Sequence, residues 1–99
     1  MFATINFLGK TTRLSIVPHT YTNNNRLALE AICNEGSFGM LTVNIPEAEL
    51  ADDEVCIKTW SENAAWVPQV LAALKDKFIP TGRSVPTGFV TAPIYKIAS

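Results

Sequence analysis

Five carboxylates crowd into the eight residues Glu47-Ala48-Glu49-Leu50-Ala51-Asp52-Asp53-Glu54. Three chemistries use such a cluster. A calcium loop wants Asp or Asn at alternate positions, a mid-loop glycine and a closing glutamate. Here the glycine and the spacing are missing. A solvated connection between strands needs nothing more than polarity. An acidic surface that meets a basic partner needs only exposure, and it would steer association with an Arg/Lys-rich protein. The last two readings stand, with Glu47, Glu49, Asp52, Asp53 and Glu54 as candidate contacts.

Few other residues have chemical reach. His19 is the only histidine. It follows Pro18 with no acid near it in sequence, so it is expected in an exposed loop, and a dyad or metal site would need partners it lacks. Cys33 and Cys56 show no CxxC spacing and are too few for a disulfide framework. Both lie in apolar runs and are expected as small buried hydrophobes, with a disulfide between strands as the other reading. Arg83 stands among Gly82, Pro86 and Gly88 in a stretch that matches no phosphate loop. That stretch is expected to be an irregular contact loop, with Arg83 its best bidentate donor. Trp60 and Trp66 bracket a helix start. Burial is the ordinary reading for both, and an exposed Trp66 anchoring a partner is the alternative. No nucleophile–base pair can be drawn, so no enzyme, catalytic residue, cofactor or metal site is expected.

The elements that must position these residues follow from periodicity. Hydrophobic residues make up 47% of the 99 and charged ones 17%, which fits one globular domain over 1–99. Ala3 to Leu8 and the alternating Arg13-Leu14-Ser15-Ile16-Val17 read as strands joined at Gly9-Lys10, with Pro18 ending the second. Asn23-Asn24-Asn25 is a turn. Arg26 to Cys33 and Phe38 to Ile45 form a hairpin around Asn34-Glu35-Gly36-Ser37. Val55-Cys56-Ile57 is a short strand. Ser61 or Asn63 is expected to cap a helix near residues 63–77, whose apolar face is Val67, Val70, Leu71, Leu74 and Phe78. Pro68 requires either a separate turn at 62–66 or a bend there. Phe89 to Ile97 is the last strand, and Pro93 inside it points to an edge or a bulge.

The fold class is therefore α+β, an antiparallel sheet of about five to six strands with one helix on one face. The expected core is Leu14, Ile16, Leu29, Leu41, Val43, Val55, Ile57, Val70, Leu71, Leu74 and Val90. A net charge of −1 with scattered basic residues argues against direct nucleic-acid binding. No apolar run approaches the ~20 residues of a membrane span, and Met1 to Asn6 is not a signal peptide, so a cytosolic protein is expected.

Thr42-Val43-Asn44-Ile45-Pro46, Asp53-Glu54-Val55, Ile57-Lys58, Ser61-Glu62-Asn63, Thr81-Gly82-Arg83, Val85-Pro86-Thr87-Gly88-Phe89-Val90 and Pro93 are placed together in one order. With Arg26-Leu27-Ala28, they resemble an uncharacterised family of small proteins carried by phages, plasmids and conjugative elements. Thr59-Trp60 and Trp66-Val67-Pro68 depart from that pattern. The resemblance covers roughly residues 26–97 and implies an accessory role for a mobile element in a bacterial host. By analogy it points to a non-catalytic inhibitor of a host defence nuclease, of anti-CRISPR or anti-restriction type. The alternative is an assembly protein that self-associates through an edge strand near Phe89 to Ile97.

Overall fold

In the computed structural model, which describes residues 1–98, seven strands form two antiparallel sheets. The first holds β1 (Phe2–Phe7), β2 (Lys10–Thr20), β3 (Leu27–Cys33) and β4 (Gly36–Met40) in that spatial order. The second holds β5 (Glu54–Cys56), β6 (Phe78–Thr87) and β7 (Val90–Ile97) in the order β5-β7-β6. The expected single sheet is thus divided. The division falls in the strand expected over Phe38 to Ile45. β4 ends at Met40, Leu41 N–H still donates to Leu29 O (2.9 Å), and Val43 N–H then donates to Cys56 O (3.0 Å). The segment 41–43 leaves one sheet and enters the other, bridged by Thr42 and Ile57.

The prolines sit where the ladder does not need their N–H. Ile16 N–H donates to Met1 O (2.7 Å). Pro18, two residues on, faces the same side, beyond the end of β1, so β2 runs through it to Thr20 rather than stopping. Pro93 lies in the middle strand β7, not at an edge; its carbonyl accepts from Ile57 N–H (3.0 Å), so its nitrogen faces the stretch just past the end of β5, while the bulge lies across from it in β6. Pro86 belongs to β6, the outer strand. The expected irregular loop at 81–88 is in fact the second half of β6, and Gly88-Phe89 is a two-residue hairpin turn. The first hairpin turns at Leu8-Gly9, one residue earlier than expected, with φ of 53° and 76°.

The helix is shorter than expected. Ser61–Ala65 is a separate 3₁₀ turn, and α1 spans Val67–Ala73 with Pro68 in its first turn, where the missing N–H costs nothing. Phe78 begins β6. Neither Ser61 nor Asn63 caps by its side chain. Asn63 is buried instead, and its Nδ2 donates to Met40 O (2.7 Å) and Lys58 O (3.0 Å). It pins the 3₁₀ turn to the ends of β4 and β5.

The main core joins Ala3, Ile5, Leu14, Ile16, Leu29, Ala31, Leu41, Val55, Ile57, Trp66, Val67, Val70 and Phe78. A second cluster of Ile45, Ala48, Cys56, Ala92 and Ile94 lies under the acidic segment. Of the expected core, Val43 packs partly buried on the second cluster, Leu71 and Leu74 flank the first, and Val90 is half-buried beside the hairpin turn. Both cysteines are free, Cys56 buried and Cys33 half-buried. Burial pushes the Cys56 thiol up. No helix among the described residues is long and apolar enough to cross a membrane.

Candidate functional site

The acidic segment is a shaped ledge, held at each end by an arginine. Arg26, at the mouth of β3, donates from Nη1 to Ile45 O (2.9 Å) and from Nη2 to Ala48 O (2.6 Å). An Asn cluster fixes Arg26 in turn. Asn24 Oδ1 accepts from the Arg26 N–H (3.1 Å), Asn24 Nδ2 donates to Asn44 Oδ1 (3.0 Å), and Asn44 Nδ2 donates to Asn23 Oδ1 (2.8 Å).

Arg83 holds the far end. Three residues of β6, Thr81-Gly82-Arg83, stand opposite Ile94 alone, and Gly82 takes φ 80° to make that bulge. The bulge withdraws the ladder from Ile94, and the Thr81 hydroxyl donates to Ile94 O instead (2.7 Å). It also re-aims Arg83, whose side chain reaches past β7 to β5. Nη2 donates to Glu54 Oε1 (2.5 Å) and Nη1 to Glu49 O (3.2 Å). The Ala51 N–H donates to the same Glu54 oxygen (2.9 Å). The Arg83 guanidinium, and then the Ala51 N–H, hold the Glu54 carboxyl below its ordinary range.

The structure therefore brings Arg83, Glu49 and Glu54 together, and it gives them different jobs. Glu54 is a structural anchor, with only 15% of its side chain exposed. Asp53 is exposed and stands 3.8 Å from Lys96 Nζ. Glu47, Glu49 and Asp52 are exposed, and their carboxylates have no ion-pair partner among the described residues. Below the ledge a polar cleft of about 270 Å³ is lined by Asn24, Arg26, Leu50 and Asp52.

Trp66 does not belong to this surface. It is 2% exposed, its ring meets Phe38 edge-on at 5.2 Å, and it lies against Gly39, where an added Cβ would stand 3.0 Å from it. The partner-anchor reading of Trp66 is thus corrected: its indole fills the space left by a glycine in β4. His19 is exposed, as expected, but in a strand and not a loop. It lies in β2, diagonal to Glu30 on β3, with Nε2 2.9 Å from Glu30 Oε1. Ser37 Oγ donates to the other oxygen of Glu30 (2.5 Å). The carboxylate stands between hydroxyl and imidazole, so His19 has no path to the Ser37 proton and the trio lacks the order of a nucleophile–base pair. Among the described residues no set of His, Cys, Asp and Glu is grouped to hold a metal ion.

Sequence reasoning missed Arg26 as a brace. Its only local signal was its place directly after the Asn23-Asn24-Asn25 turn. No family model, curated protein or solved structure matches the chain.

Proposed function

We propose that the chain is a non-catalytic, protein-binding accessory protein of a mobile genetic element that inhibits a host defence nuclease by covering a basic protein surface. The observation that carries this reading is the ledge itself. Glu47, Glu49 and Asp52 are unpaired and exposed on a loop whose backbone is tied down by Arg26 and Arg83. The two arginines satisfy loop carbonyls and in doing so hold the segment in one shape. A charged loop fixed before contact loses little freedom on binding, and its field speeds encounter with a basic partner. The resemblance of residues 26–97 to proteins of phages and plasmids supplies the biological setting.

Each residue has a distinct role in this reading. Glu47, Glu49 and Asp52 meet the partner, Asp53 adds to the same field, and Glu54 and Arg83 keep the ledge in shape. The protein acts by occupancy, without turnover. The wild-type chain and a Glu47→Lys/Glu49→Lys/Asp52→Lys variant serve as bait in lysates of bacteria carrying CRISPR or restriction systems. A defence nuclease retained by the wild type and lost by the variant supports the proposal. Retention of such a nuclease by both proteins would move the site off the ledge.

A further inference from the structure

Two large apolar side chains stand at turn tips and gain nothing inside the molecule. Leu8 occupies the left-handed region (φ 53°) of a two-residue turn, where Asn or Gly is the comfortable choice, and it is 90% exposed. Phe89 follows Gly88 at the tip of the β6–β7 hairpin and is fully exposed. Neither joins a core cluster. Leu8 holds a strained backbone conformation with no packing return in its own chain, and a surface that buries both side chains accounts for their placement.

Leu8 forms the lip of a groove. The groove lies between the β1–β2 and β3–β4 hairpin ends, has a volume of about 570 Å³, and is lined by Phe7, Leu8, Phe38, Lys10, Arg13 and Glu35 among others. A cavity of ~150 Å³ accepts a benzene ring, so the groove has room for an aromatic side chain. Its aromatic wall is pre-set, because Phe7 and Phe38 stand edge-on at 5.1 Å. No residue of the three-stranded sheet lines it, so it is not filled by the hairpin tip of its own chain.

We propose that the groove receives Phe89 of a second copy of this chain. Charge favours that occupant. Lys10 and Arg13 outnumber Glu35 at the groove, while Ala48 and Leu50 of the acidic ledge pack with Val85 and Ala92 of the hairpin that carries Phe89. The segment that packs on that hairpin carries Glu47 and Glu49, opposite in sign to the Lys10 and Arg13 of the rim. Each contact joins a knob to a groove, so the assembly grows head-to-tail unless two reciprocal contacts close it. Strand pairing at β7, the route expected from the sequence, is closed, because β7 is paired on both sides. One knob in one groove buries less than the ~1,000 Å² of a stable interface, so the association is weak, on the order of 0.1–1 mM.

This inference stands apart from the defence-inhibitor reading and is tested without any partner. Sedimentation velocity on the wild type, from about 10 μM to 2 mM across that expected range, should show a weight-average mass that climbs from 10.8 kDa as concentration rises. Phe89→Ser removes the knob, and Leu8→Asp places a carboxylate on the groove lip at a backbone that Asp tolerates. Each variant alone should stay monomeric, with association weakened roughly 30-fold or more, as loss of a central aromatic anchor requires. Mixed, the two variants should form a 1:1 dimer and stop, since Leu8→Asp still has a knob and Phe89→Ser still has a groove. A monomeric wild type at 2 mM would overturn the proposal, as would polymerisation of Phe89→Ser or a mixture that forms no dimer. Circular dichroism on both variants verifies that the fold is kept.

Discussion

At the scale of single residues, the ion pair between Arg83 and Glu54 connects the site to pH. The Arg83 guanidinium lowers the Glu54 carboxyl, and the Ser37 hydroxyl followed by His19 lowers that of Glu30. For a carboxyl whose folded value lies below its unfolded one, the stabilisation is present above the unfolded value. It is lost as pH falls through the folded value. The melting temperature should therefore drop between about pH 5 and pH 3, and Glu54→Gln should flatten part of that drop. An unchanged acid limb in Glu54→Gln would show that the pair contributes nothing to stability. Asn63 offers a second test. Asn63→Ala leaves the Met40 and Lys58 carbonyls without their donor and should cost about 2 kcal/mol in denaturant unfolding. Asn63→Asp sets a carboxylate against both carbonyls and should cost more. The acidic segment and Arg83 stood out in the sequence because charge density and donor geometry are local properties. The carboxylate that Arg83 holds is 29 residues away in the chain, so the pairing was beyond local reasoning. Trp66 was ambiguous for the same reason: its burial depends on Gly39, which reaches it only through β4.

At the scale of elements, the strands were legible wherever apolar and polar residues alternate, as in Leu14 to Val17. Pro68 was read correctly as setting off a separate turn, but Pro18 misled. Whether Pro18 ends a strand depends on whether a neighbour lies beside its nitrogen, and that is a fact of topology. The helix was read too long because Phe78 continues the helical spacing of Val67, Val70, Leu71 and Leu74, although it opens β6. Its helical spacing and its burial are satisfied by different elements. Two substitutions probe these contacts. Gly39→Ala drives a Cβ against the Trp66 ring and should cost about 1–3 kcal/mol, with altered tryptophan fluorescence. Leu8→Asn relieves the left-handed strain at the β1–β2 turn and should raise stability by about 1 kcal/mol. A neutral Gly39→Ala would mean that Trp66 has room to shift.

At the scale of the whole molecule, the chain is an α+β domain of two small antiparallel sheets stitched by residues 41–43, with one apolar cluster shared between sheets and helix and another beneath the ledge. The fold class was legible because five or six alternating runs and one helical stripe leave few packing solutions. The division into two sheets was not, since Phe38 to Ile45 alternates as one strand while its hydrogen bonds change partner midway. The two sheets also set the outward surfaces apart: the braced ledge against β6 and β7, and the groove with its aromatic wall and basic rim at the open end of the first sheet. The ledge carries the central claim, inhibition of host defence by occupancy. Its most direct measurement is phage plaquing on bacteria that carry CRISPR or restriction systems and express the chain. The account predicts that the wild type restores plaquing by orders of magnitude on at least one defended strain, and that Glu47→Lys/Glu49→Lys/Asp52→Lys, folded and expressed to the same level, does not. Equal plaquing with and without the wild-type chain across those strains would contradict it.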